Sequence, residues 1–154
     1  MAAKKPSFAQ AQLQLQLYDL RREAKLRQAR EWIMEKYFPE TPEEAQRLAP
    51  PGSQEHAFLR MVVSYWENAC QLLNCGLLHE DLFFQTTNEF FFLWDRTKDG
   101  VPAARKLYKN PRMWIHLEAA SKRYEQWVNR HAPGHLDVLR GYMRQVRDAG
   151  KPGQ

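Results

Sequence analysis

At 154 residues with a formal net charge of +5, the chain is sized for one domain, or for one domain carrying an arm. Its 44% hydrophobic and 12% aromatic content, with five tryptophans, excludes an intrinsically disordered chain. No apolar run approaches the ~20 residues that cross a bilayer, and Lys4-Lys5 has no apolar run behind it, so neither a membrane span nor a signal peptide is expected and the default setting is cytoplasmic.

The first helix is predicted from about Ser7 to Phe38. Ala9 to Leu17 alternates strictly, which is the period of a strand. Ala, Leu and Gln are strong helix formers, however, and no residue there is β-branched, so helix is preferred. Asp19, Arg22, Glu23, Arg27, Glu31 and Glu35 follow in an order that supports it. This helix changes face. Leu13, Leu17, Leu20 and Ala24 form one stripe, and Leu26, Ala29, Ile33 and Tyr37 form another about 180° round the cylinder. Two opposed stripes on one straight helix need two packing partners. The second stripe meets the core. Leu13, Leu17 and Leu20 are candidate contacts to a second copy of the chain, the alternative being that the N-terminal half folds back or frays.

Pro39-Glu40-Thr41-Pro42 ends that helix, and Thr41 caps a short one with Pro42 at its first position. Ala49 to Ser53 is a loop. The second long helix, about Gln54 to Asn74, buries Phe58, Val62, Tyr65, Trp66, Ala69, Leu72 and Leu73, and Gly76 ends it in the left-handed conformation. Cys70 and Cys75 point about 140° apart on this helix, too far to bridge, and are expected as free thiols in a reducing compartment. The third helix is predicted as one rod, starting near His79 and closing at Lys98-Asp99-Gly100. Phe83, Thr87, Phe90 and Trp94 lie on one line of it, flanked by Leu82, Phe84, Phe91 and Leu93. An apolar arc of about half the cylinder marks the central helix of a bundle.

Ala103 to Lys109 is read as a helical turn. Asn110-Pro111 predicts the start of a fourth long helix that buries Met113, Leu117, Ala120, Tyr124, Trp127 and Val128 and stops before Ala132-Pro133-Gly134. A last helix, about His135 to Arg147, turns Leu136, Leu139, Met143 and Val146 inward and Arg140, Arg144 and Arg147 outward. Gly141 inside it costs ~1 kcal/mol against Ala and is expected to permit a close helix contact. The fold class is therefore all-α, a helical bundle of four to five helices with a long N-terminal helix. Residues 1–39 form an amphipathic arm, 40–53 a linker with a short helix, 54–148 the bundle core and 149–154 a disordered tail.

Few constellations carry chemistry. His131 and His135 are four apart but separated by Pro133-Gly134, and no Glu-containing zinc motif accompanies them. No Glu-x-x-His pair of the di-metal bundles occurs, nor a phosphate-cradling glycine loop, nor a Ser-His-Asp signature. No catalytic, cofactor-binding or metal residue is assigned, and a non-enzyme is favoured. Charge is unevenly spread. Residues 76–95 hold Glu80, Asp81, Glu89 and Asp95 with no Lys or Arg, whereas residues 96–154 hold 13 basic against 5 acidic residues. Lys106, Lys109, Arg112, Arg140, Arg144 and Arg147 are the candidate polyanion contacts, the alternative being a solvated face. Phe92 lies opposite the Phe83/Phe90/Trp94 line, so a neighbouring segment or a partner must cover it.

The order of features from Leu17 to Arg130 resembles an uncharacterised bacterial family known only as a domain of unknown function. The resembling pieces are the charged helix Arg22 to Tyr37, the aromatic helix Met61 to Asn74, the junction Gly76-Leu77-Leu78-His79-Glu80-Asp81-Leu82, the Phe/Trp helix to Trp94, then Asn110-Pro111 and Trp114 to Trp127. The resemblance implies an all-helical fold and transfers no activity. Some members of that family carry membrane helices ahead of this domain, where this chain has a Gln-rich arm. The leading expectation is a non-enzymatic protein-interaction or scaffold module that forms a homo-oligomer through the N-terminal helix. The alternative is a binder of nucleic acid or another polyanion through the basic C-terminal third.

Overall fold

A computed structural model describes residues 4–151. Among these residues the fold is all-α, with nine helices and no strand. They are α1 (Phe8–Leu20), α2 (Ala24–Lys36), α3 (Pro42–Leu48), α4 (Gln54–Asn74), α5 (Glu80–Thr86), α6 (Glu89–Thr97), α7 (Val101–Leu107), α8 (Ile115–His131) and α9 (His135–Ala149). α4 is the spine, with α2 and α8 both packed along it. α6 lies against α8, and α9 rests on α8 and α2. One hydrophobic core runs through α1, α2, α4, α5, α6, α8 and α9. Of the tail expected to be disordered, Ala149 belongs to α9, and residues 152–154 lie outside the described ones.

The expected four to five helices become nine because two long periodic segments are broken and the short α3 and α7 are helices of their own. The predicted N-terminal helix divides at Arg21–Glu23. Glu23 caps α2, its carboxylate accepting from the backbone N–H of Lys25 and Leu26 at 3.0 and 2.8 Å. Those two bonds satisfy donors that a helix start would otherwise leave orphaned. The break relieves the problem of the opposed stripes: α2 turns its stripe inward, while of the first stripe Leu17 and Leu13 face the core and Leu20 and Ala24 are exposed. Leu17 is buried beside Leu26, Ala29 and Ile33 in the same core.

The predicted Phe/Trp rod also divides, at Thr87-Asn88. Thr87 is extended (φ −140°, ψ 122°), and the Thr86 hydroxyl donates to the Leu82 carbonyl four residues back. Thr and Asn are weak helix formers whose side chains compete for backbone groups, so the rod is weakest at this point.

The fourth long helix starts at Ile115 rather than at Asn110-Pro111. Asn110 closes a turn instead, its side-chain oxygen accepting from Arg112 N–H, and Trp114 takes a left-handed conformation at φ 56°. The α8 start has no local side-chain cap. Glu67 on α4 supplies one across the interface, accepting from His116 N–H at 3.1 Å and Leu117 N–H at 2.8 Å. A carboxylate at the positive end of a helix is favourable as well as hydrogen-bonded. The end of α4 agrees with expectation. Gly76 has φ 75°, and the N–H groups of Gly76 and Leu77 close on the Leu73 and Leu72 carbonyls.

Gly141 does not mark a close helix contact. A Cβ placed there would meet only the Arg144 guanidinium of its own helix, at 3.7 Å. Gly141→Ala is therefore expected to stabilise the fold by about 0.5–1 kcal/mol, through the unfolded-state entropy that glycine adds. Glu67→Ala should cost about 2 kcal/mol by stripping both donors at the start of α8. Urea unfolding followed by circular dichroism measures both.

Candidate functional site

Two clefts among the described residues are built around arginine. The larger, of about 240 Å³, lies between α6, α9 and the segment after α2, where Phe38, Phe92, Asp95, Arg96, Arg140, Met143, Arg144 and Arg147 face it. α9 contributes a single line of side chains, because Arg140, Met143, Arg144 and Arg147 recur at the three- and four-residue spacing of one helical face. α6 contributes Phe92 and Arg96, one turn apart. Pro39 holds Phe38 away from helical geometry, so α2 ends at Lys36 with open carbonyls.

Arg96 fills that end. Its Nη1 donates to the Ile33 and Tyr37 carbonyls at 2.7 and 3.1 Å, its Nε to the Phe92 carbonyl at 3.2 Å, and its guanidinium lies 4.3 Å from the Phe38 ring centroid. It is a cation at the negative end of α2, which explains its tolerance in a half-buried position without a carboxylate partner. Burial pulls its pKa down to about 10, which leaves it charged at neutral pH. Its Nη2 has no protein acceptor among the described residues and is not sealed from solvent.

The other cations of this cleft differ in how they are held. Arg140 bonds both oxygens of Asp95 at 3.0 Å and also reaches Glu125, and these carboxylates raise its pKa further. Burial pushes Asp95 up, but Arg140 and Lys98 more than offset this and hold it below the ordinary carboxylate range. Arg147 pairs with Asp148 and Glu40. Arg144 is exposed and has no ion pair among the described residues.

The second cleft, about 220 Å³, is more apolar and lies between α1, α4 and α5. Arg21 lies over the rings of Tyr18 and Trp66, at 5.3 and 5.5 Å from their centroids. Beneath it, Glu89 at the start of α6 takes a bidentate pair from Arg30 and a hydrogen bond from Trp66 Nε1 at 3.1 Å. The Arg30 and Glu89 side chains are 18% and 14% exposed, so this pair ties α2 to α6 in a largely water-excluded position. Burial raises the Tyr65 hydroxyl to about 12, and that hydroxyl donates to the Leu17 carbonyl.

The residues singled out from sequence divide between these settings. Leu17 is buried in its own chain's core and Leu13 packs against that core, whereas Leu20 is exposed. Phe92, 7% exposed, is covered by its own chain except for the edge that faces the larger cleft, so it is not an open contact for a partner protein. The six basic candidates do not form one surface. Arg140, Arg144 and Arg147 face the larger cleft, while Lys106, Lys109 and Arg112 are exposed around the α7–α8 connection and line neither cleft. The acidic stretch takes up three cations of the basic third: Glu80 pairs with Arg123, and Asp95 with Lys98 and Arg140. His131 stacks on Trp127 at 4.3 Å, and His79 caps α5 through its ring nitrogen. Among the described residues no three His, Cys, Asp or Glu side chains converge as a metal set would. Burial drives the Cys70 thiol well above its ordinary pKa, and Cys75 is exposed; both are free.

Sequence reasoning passed over Arg96, Arg30 and Glu89. The signal available for Arg96 was its position, as the first Lys or Arg after a 35-residue stretch, 61–95, without one.

A family model described as a domain of unknown function (DUF4760) matches residues 6–124. The chain belongs to the DUF4760 family. No curated protein and no solved structure matches it. The DUF4760 segment takes in α1 to α7 and the first part of α8, so the Arg30–Glu89–Trp66 network and Arg96 lie inside it and the α9 arginines beyond it. Among the described residues no helix is long and apolar enough to cross a membrane.

Glu89→Ala is expected to destabilise the fold by about 3 kcal/mol, because it strands a buried guanidinium and an indole N–H together. Chemical denaturation monitored by tryptophan fluorescence reads the loss.

Proposed function

We propose that this chain is a non-enzymatic interaction module of the cytoplasm that self-associates through the outward face of α1. The observation that carries the reading is the consequence of strict alternation on a helix. Residues two apart fall about 200° round the cylinder, so leucines at every second position cannot share a face. Leu13 and Leu17 turn inward with Gln10 and Gln14. Those glutamines anchor α1 to its own domain by donating to the Gly76 and Leu82 carbonyls and the Thr86 hydroxyl. Leu15 is left on the outside beside Tyr18 and Phe8, which are 67%, 54% and 78% exposed respectively. Three large apolar groups on one short helix, far more exposed than core positions, favour a partner with the same kind of surface. The contact proposed here therefore replaces Leu13 and Leu17 with Phe8, Leu15 and Tyr18.

Two unpaired thiols support a reducing compartment. The polyanion alternative has weaker support, because only three of its six candidate cations share the cleft and two of those are already paired.

Light scattering of the full chain across micromolar concentrations tests the module. The expected mass is that of a dimer or larger, and Leu15→Glu with Tyr18→Glu should return it to the monomer while the helical circular dichroism signal is kept. A monomer for the unsubstituted chain at every concentration would refute the reading.

A further inference from the structure

The cleft between α6 and α9 has a charge imbalance that the fold itself does not resolve. Four guanidinium groups face it and only one carboxylate, Asp95, which is already shared by Arg140 and Lys98. Arg140 and Arg147 have acidic partners, so their charge is spoken for. Arg96 and Arg144 have none among the described residues, and both face the same space. The remaining walls are Phe38, Phe92 and Met143, so an apolar surface sits directly beside the two unpaired cations.

We propose that this cleft binds a small organic anion, a phosphate or carboxylate head on an apolar body, with Arg96 and Arg144 holding the head and Phe38, Phe92 and Met143 the body. Arg96 suits the role because two of its three nitrogens are fixed by backbone carbonyls, which aims the remaining Nη2 without further ordering cost. A guanidinium so placed offers one fixed nitrogen, Nη2, to an oxyanion, a charge-assisted contact that Arg144 must complete. Half-burial strengthens the attraction, since water screens it less. The volume of about 240 Å³ sets the size. It falls below the ~300 Å³ at which pockets for drug-sized ligands begin, so the body is a single ring or short chain. The DUF4760 segment supplies Arg96 and Phe92, and the helix beyond it supplies Arg144 and Met143. The site thus depends on α9 seating against α6. It is also independent of α1, so it stands or falls separately from self-association.

Isothermal titration of the full chain with phenyl phosphate, and separately with inorganic phosphate, tests the assignment. Phenyl phosphate is expected to bind saturably and about tenfold more tightly than inorganic phosphate, because only it covers the apolar walls. Arg144→Glu, at an exposed position, should weaken phenyl phosphate by about tenfold or more. Lys106→Glu makes the same change in net charge away from the cleft and should leave the affinity unchanged. Sedimentation with vesicles of phosphatidylglycerol in phosphatidylcholine separates a lipid headgroup from a soluble ligand of the same chemistry. Saturable phenyl phosphate binding that fails only in Arg144→Glu supports the site. No saturation at millimolar phenyl phosphate, equal losses in the two charge variants, or binding to vesicles alone would overturn it.

Discussion

The structure depends on gathering the rings of α5 and α6 around Tyr124. That ring lies 5.2 Å from Phe84, 5.4 Å from Phe90 and 5.2 Å from Phe91, centroid to centroid. Phe84 also stacks on Phe90 at 6.1 Å. In one continuous helix Phe84 and Phe90 would be separated by roughly 9 Å of rise and 120° of rotation, too far round to share a neighbour. The break at Thr87-Asn88 brings them together. Burying this aromatic surface outweighs the few helical hydrogen bonds given up at the break, because each ring removes a large apolar area from water.

That break has consequences beyond the core. It creates a helix start at Glu89, and the same residue anchors Arg30 and the Trp66 indole. It also re-aims α6 so that Arg96 reaches the end of α2 and Asp95 reaches α9. The more buried ion pairs, Arg30–Glu89 and Arg140–Asp95 among them, are bridges between helices brought together by the aromatic core. Their contribution is in fixing which helix lies against which, since buried pairs return little net stability over apolar packing. The Glu67 cap on α8 follows the same logic: a carboxylate on the spine completes a helix whose own sequence left its start uncapped.

The clefts are where this arrangement leaves something over. Seven of the thirteen basic residues of the C-terminal third are ion-paired among the described residues, Lys98, Arg123 and Arg140 with acids of the α5–α6 region, and six are left without a partner. Arg96 and Arg144 are the two that share a cavity. On α1 the surplus is apolar instead of cationic, because an alternating sequence wound into a helix must place leucines on two faces.

Much of the local structure was legible in the chain. Helix type, the Gly76 terminus, the Thr41 cap and the inward faces of α4 and α8 follow from periodicity and capping chemistry, which act over four residues or fewer; on α9, Arg140 and Arg147, expected outward, instead share the cleft-facing line with Met143. The all-α class follows from the same local signals. What they could not reveal was where a long periodic segment breaks, because Glu23 and Thr87-Asn88 are each compatible with a continuous helix in isolation. Only tertiary packing decided those points, by rewarding contacts between Phe84 and Phe90 or between α1 and α5 that no local hydrogen bond foresees. The same holds for the cleft. Arg96 reads as one more surface charge along the sequence, and it becomes a half-buried, carbonyl-anchored cation only when α2, α6 and α9 converge on it.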